Sequence, residues 1–158
     1  MLLYDTADTI AGRPRKCTPL TDEQYAQRCE AFNALVDEYM RRVRLAMGSR
    51  DARKLRKSVM GFIDRNAFTD VSFETWKLML EAILPTTCHL MIEGKIRFTP
   101  KKYKKGWTAE ELDRMIDICG VSESGRYYVF KTAGLPCEKP ESMFRHERES
   151  AAITATGA

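Results

Sequence analysis

Apolar residues in the first third of the chain keep a helical step. From Tyr25 they recur at Cys29, Phe32, Val36, Tyr39, Val43 and Met47, in steps of four and three that end on a four. That spacing marks one face of a long amphipathic helix. Its start carries several agreeing signals. Thr21 and Gln24 form a T-x-x-Q capping box, Leu20 can staple onto Tyr25, and Asp22 and Glu23 sit near the positive end of the helix dipole. Gly48 suits its end. The pattern predicts a helix over 21–47. Its spacing is also close to a heptad, so a second copy of the chain could pair along it as a homodimer.

A second helix is expected over 50–65, capped by Ser49, with Leu55, Val59, Phe62 and Ile63 on one face and Ala52 beside them. A turn at 66–70 leads to a third helix over 71–84, whose stripe is Phe73, Trp76, Leu80 and Ile83 and which Pro85 ends. Over 88–98 the apparent period becomes two. His89 and Met91 alternate with Leu90 and Ile92, and Ile96 and Phe98 oppose Lys95 and Arg97, which reads as a β-hairpin turning at Glu93-Gly94. A fourth helix starts at the Thr108–Glu111 capping box, with Leu112, Met115, Ile116 and Cys119 inward and Gly120 at its end. Arg126 to Lys131, aromatic and β-branched, reads as a third strand. The expected fold is therefore α+β: a helix-dominated domain over 21–133 with four helices and a small antiparallel sheet. A flexible arm over 1–20 precedes it and a weakly ordered tail over 134–158 follows.

Charge changes this picture. Arg41, Arg42, Arg44, Arg50, Arg53, Lys54, Arg56 and Lys57 face a single acid, Asp51, within 41–57. Lys95, Arg97, Lys101, Lys102, Lys104 and Lys105 face no acid within 95–105. The two blocks hold +13 of a chain whose net charge is +4, so the remainder carries −9. Basic residues near the end of the first helix suit its dipole, an explanation that stops at Gly48. On the second helix Arg50, Arg53, Lys54 and Lys57 fall opposite the apolar face, where like charges four residues apart disfavour the helix. A bound polyanion would relieve that repulsion. Tyr103, set among four lysines, has the chemistry to stack on a base or sugar.

Other chemistry finds little support. The five cysteines are odd in number, scattered and without a C-x-x-C pair, so they read as reduced thiols in a cytoplasmic protein, with no metal site. Neither His89 nor His146 has an orienting carboxylate visible in the sequence, and no glycine-rich phosphate loop occurs, so no cofactor is expected. No run approaches the roughly 18 apolar residues of a membrane span, and the first ten residues lack the apolar segment of a secretory signal.

Two partial resemblances bear on function. Glu93-Gly94-Lys95, with Asp70 upstream, resembles the acid…E-x-K pattern of the PD-(D/E)xK nuclease families. The resemblance implies two carboxylates holding a divalent ion and a lysine positioning the attacking water. Here the glycine places Glu93 at a turn, and Asp70 precedes a helix instead of ending a strand. The order helix, turn, helix, hairpin over 50–99 is similar to the back half of a winged-helix domain. That likeness implies that residues 71–84 enter a major groove, yet their exposed positions include Glu74 and Glu81. A variant contacting nucleic acid through the preceding basic helix and the hairpin avoids this objection.

The expectation is a non-catalytic nucleic-acid-binding accessory protein of a DNA-processing system or mobile element. It would hold phosphates through Arg41, Arg42, Arg44, Arg50, Arg53, Lys54, Lys57, Lys95, Arg97, Lys101, Lys102, Tyr103, Lys104 and Lys105, on DNA ahead of RNA. The alternatives are a regulator whose basic face docks an acidic protein and, third, a metal-dependent nuclease built on the E-x-K triplet.

Overall fold

The computed structural model describes residues 18–99, 101 and 105–144. Helix α1 spans Asp22–Met47, and its capping box forms as the sequence suggests. The Thr21 hydroxyl accepts from the Gln24 amide, and the Gln24 side chain accepts from the Thr21 amide. Gly48, at φ 106°, closes α1 by donating to the Val43 and Arg44 carbonyls. Helix α2, Ser49–Val59, then begins at once. Ser49 is thus the first helical residue and not a cap, and the positive φ at Gly48 provides the sharp turn between the two helices. A 3₁₀ turn, Met60–Ile63, finishes what was expected as one helix to residue 65.

The stripe of α1 faces the chain's own core. Phe32, Val36 and Val43 are fully buried, and Tyr39 and Met47 are packed against them. From Phe32 to Met47 the heptad-like seam therefore packs within the same chain, while Tyr25 and Cys29 at its start are half-buried.

The largest departure from the sequence reading lies in α3, which runs unbroken from Phe73 to Phe98. Neither Pro85 nor Gly94 interrupts it, and the expected hairpin over 88–98 does not exist. Its buried line is Trp76, Leu80, Leu84, Cys88, Ile92 and Ile96, always four residues apart. A step of four overshoots one turn, so this line winds about 200° around the helix over its length. That lets α3 touch α1, α2 and the two later helices in succession. Proline in a helix interior costs about 3 kcal/mol, whereas full burial of one large aliphatic side chain contributes about 1.5–3 kcal/mol. The four buried residues from Leu84 onward outweigh the proline. Thr86 and Thr87 also donate their hydroxyls to the Ala82 and Ile83 carbonyls, at 3.3 and 2.8 Å, beside the amide that Pro85 lacks.

Helix α4, Ala109–Cys119, has the expected Thr108–Glu111 capping box, buries Leu112, Met115, Ile116 and Cys119, and closes on Gly120 in the left-handed region. The segment expected as a third strand is helix α5, Glu123–Ala133, capped by the Ser122 hydroxyl accepting from the Gly125 amide. Every regular element among the described residues is helical, so the α+β reading gives way to an all-α fold. Leu135 and Cys137, expected within the tail, pack on the core. Residues 1–17 of the expected arm and 145–158 of the expected tail lie outside the described residues.

Gly125 explains why α5 can sit so near α3. A Cβ built there would lie 2.5 Å from Val121 Cγ1 and 3.3 Å from His89 Cβ. Gly125→Ala would normally help a helix, but here it should destabilise the protein by about 1–3 kcal/mol, because a side chain must be forced aside. A chemical denaturation midpoint measures this, and an unchanged or raised midpoint would contradict the close approach.

Candidate nucleic-acid interface

Helix α2 divides cleanly into two sides. Ala52, Leu55 and Val59 are buried, while Arg50, Arg53, Lys54 and Lys57 are all exposed on the other face. The remaining base, Arg56, turns inward, its guanidinium 5.4 Å from the ring of Phe32 and 3.4 Å from the Asn33 side chain. No acid pairs with Arg50, Arg53, Lys54 or Lys57 among the described residues, and the same holds for exposed Arg44 at the end of α1.

Arg41, Arg42, Lys95, Arg97 and Lys101 are already engaged within the chain. Arg41 holds the Glu38 carboxylate through Nε and Nη2, at 3.1 and 2.7 Å, and Arg42 Nε reaches the same group at 3.2 Å. These two guanidinium groups hold the Glu38 carboxyl down at about 2, far below the usual carboxylate range. Arg42 also lies over the Tyr39 ring at 4.7 Å and closes against Gly120 at the end of α4, so its work is structural. Arg97 pairs with Glu93 one turn back, at 3.0 Å. Lys101 pairs with Glu111 and lies 5.5 Å over Trp107. Lys105 is exposed, whereas Lys102, Tyr103 and Lys104 lie outside the described residues.

Lys95 joins the two basic blocks. Its Nζ lies 3.6 Å from Asp51 and 3.5 Å from the Met47 carbonyl, which ties the last turns of α3 to the start of α2. Between them opens a cleft of about 580 Å³. Arg50, Asp51 and Lys54 line it from α2, Met91, Gly94, Lys95 and Phe98 from α3, and Met47 from the end of α1. Phe98 stands 76% exposed there. Read as a strand, Phe98 was placed on a buried face beside Ile96. Read with a helical step, Met91, Gly94, Lys95 and Phe98 share one side. That period is the signal that would have shown these four on a common side, though not what they face.

The E-x-K geometry is not formed. Glu93 and Lys95 are on a helix, where residues two apart point to different sides. Glu93 lies about 30 Å along α3 from Phe73, the end near which Asp70 stands. Its carboxylate is turned to Arg97 and, at 3.2 Å, to His89 Nε2. Burial lowers the His89 pKa, favouring the neutral ring, while Glu93 pulls it the other way. With no hairpin there is no wing, so the winged-helix likeness also ends. No cluster of three metal-ligating side chains occurs among the described residues. Cys29, Cys88, Cys119 and Cys137 are free thiols, and burial with the adjoining Cys119 thiol keeps Cys88 protonated.

One buried polar residue escaped the sequence reading. Arg28 is 4% exposed and donates to the carbonyls of Phe68 and Val71, at 2.9 and 2.6 Å. Its step from Phe32 and Val36 placed it on the core side of α1, a position where a charged side chain needs buried partners. No helix among the described residues is long and apolar enough to cross a membrane. Comparison of the chain with protein-family models, with curated proteins and with solved structures finds no match.

Proposed function

We propose that the chain is a non-catalytic nucleic-acid-binding protein of the cytoplasm that holds the phosphate backbone through the outer face of α2. The observation that carries this reading is the set Arg50, Arg53, Lys54 and Lys57, exposed, on one face, and without an acid partner among the described residues. Arg50 with Lys54 and Arg53 with Lys57 are like-charge pairs one turn apart, which weaken the helix that carries them. Core packing does not require them, and a row of phosphates would offset their repulsion. Arg44 extends the same charge beyond Gly48. Contacts to phosphate position a protein without reading base sequence, so binding through this face should be largely indifferent to sequence. An acidic protein docking on the same bases is the competing reading.

The test is a fluorescence-anisotropy titration of the whole chain on labelled oligonucleotides between 50 and 200 mM salt. Five phosphate contacts on a duplex give a slope of log affinity against log salt of about −4.5, or roughly a 500-fold loss over that range. Absence of binding at about 50 mM salt would remove the proposal.

A further inference from the structure

We infer that the cleft between the start of α2 and the end of α3 takes an unpaired nucleotide, with its base on the ring of Phe98 and its phosphates on Arg50 and Lys54. The preferred ligand is then single-stranded nucleic acid. This rests on the phosphate-binding reading above and adds a base contact to it.

Phe98 is the most exposed of the large apolar side chains on the described surface, 76% open to solvent. The buried line of α3 passes through Ile92 and Ile96, so Phe98 is left out of the core by the helix period. Arg97 lies 5.9 Å from its ring but is paired with Glu93. Met47 and Met91, both half-buried, add apolar lining to the cleft. Gly94 forms part of the wall, and a Cβ built on it meets nothing within 4 Å. The volume of about 580 Å³ is within the range of about 300–1,000 Å³ usual for small-ligand sites.

Charge completes the match. Asp51, the one acid lining the cleft, is neutralised by Lys95 at 3.6 Å. Arg50 and Lys54, one turn apart on the rim, remain for an anion. A flat ring beside unpaired bases is the combination that single-strand-binding grooves use, because every base has a π-face to stack. In a duplex both faces of an internal base are already covered, so Phe98 could reach only a strand that is open. A protein ligand would bury about 800 Å² of total surface per partner around an apolar core, and among the residues lining this cleft Phe98 is the one strongly exposed apolar side chain.

Anisotropy titrations on labelled oligo-dT, oligo-rU and a blunt duplex of equal phosphate number test this, with the wild-type chain, Phe98→Leu, Gly94→Leu and Arg50→Glu/Lys54→Glu. Wild type should favour a single strand over the duplex. Phe98→Leu should weaken single-strand binding about tenfold, in line with one stacked base, and leave duplex binding unchanged. Gly94→Leu, a better helix former that fills the cleft, should do the same while the thermal midpoint holds or rises. Oligo-dU, which differs from oligo-rU only in lacking the 2′-hydroxyl, identifies the sugar. In Phe98→Trp, emission beyond that of the wild-type tryptophans should be quenched when single strand is added.

Equal single-strand affinity in wild type and Phe98→Leu, with Arg50→Glu/Lys54→Glu still weakening every oligomer, would overturn the stacking site and leave phosphate binding standing. No binding to any oligomer at 50 mM salt would overturn both. An acidic amphipathic peptide that displaces oligo-dT at lower concentration than unlabelled oligo-dT would reassign the cleft to a protein partner.

Discussion

Reversing Arg50, Arg53, Lys54 and Lys57 together to glutamate should lower nucleic-acid affinity by at least about 100-fold at 50 mM salt. The salt slope should flatten from about −4.5 towards −1, since each phosphate contact contributes about −0.9 on a duplex and only Arg44 would remain of the five. Folding should survive, because all four side chains are exposed and opposite the buried face formed by Ala52, Leu55 and Val59. A far-UV spectrum and a thermal melt check that. The informative control is Arg41→Gln with Arg97→Gln. Both arginines are basic and exposed, yet each already pairs with an acid one turn away, Arg41 with Glu38 and Arg97 with Glu93. Their loss should change affinity less than threefold. If the control weakens binding as strongly as the quadruple reversal, the contact surface is not α2.

Arg28→Ala should destabilise the protein by about 3 kcal/mol, roughly 10 °C in Tm for a domain of this size. The guanidinium is buried between α1 and the loop before α3, donates to two backbone carbonyls of that loop, and lies 5.4 Å over the Trp76 ring. The loop needs this support. Phe68 adopts φ 54°, an uncommon left-handed conformation for a bulky residue, while its ring stacks on Phe62 at 5.2 Å. Truncation would leave the Val71 carbonyl without its donor, the Phe68 carbonyl with only the Val71 amide at 3.2 Å, and a cavity beside Trp76, whose own indole N–H donates to the Phe62 carbonyl at 2.9 Å. Arg28→Lys should recover only part of the loss, since an ammonium cannot present two donors in the same fork. A Tm within 2 °C of wild type for Arg28→Ala would show that water takes over both bonds.

Glu38, held at about 2 by two arginines, and Lys101 on Glu111 illustrate why a count of basic residues exceeds the charge left unpaired at the surface. A sum of charges along the chain ignores partners one helical turn away or across a loop, which cancel them locally. Within 41–57 the exposed bases without an acid partner among the described residues are Arg50, Arg53, Lys54 and Lys57, together with Arg44. Within 95–105 only Lys105 is exposed without a partner among the described residues, and Lys102, Tyr103 and Lys104 lie outside them.

The local signals were sufficient wherever a helix carried its own punctuation. The capping boxes at Thr21 and Thr108, Gly120 as a terminator and the outward basic face of α2 were all legible, because each depends on residues within a turn or two of one another. Residues 88–98 and 126–131 were not. Both contain alternating or β-branched and aromatic residues whose intrinsic preferences differ by less than about 1 kcal/mol per residue. Burial of Cys88, Ile92 and Ile96 along α3, and of Val129 and Phe130 on α5, outweighs that preference, and so does it outweigh the proline at 85. The cleft followed from the same decision. Only when α3 continues to Phe98 do Gly94, Lys95 and Phe98 arrive beside Arg50 and Lys54, from positions some forty residues away in the chain. That meeting is a property of packing between helices, and no local pattern encodes it.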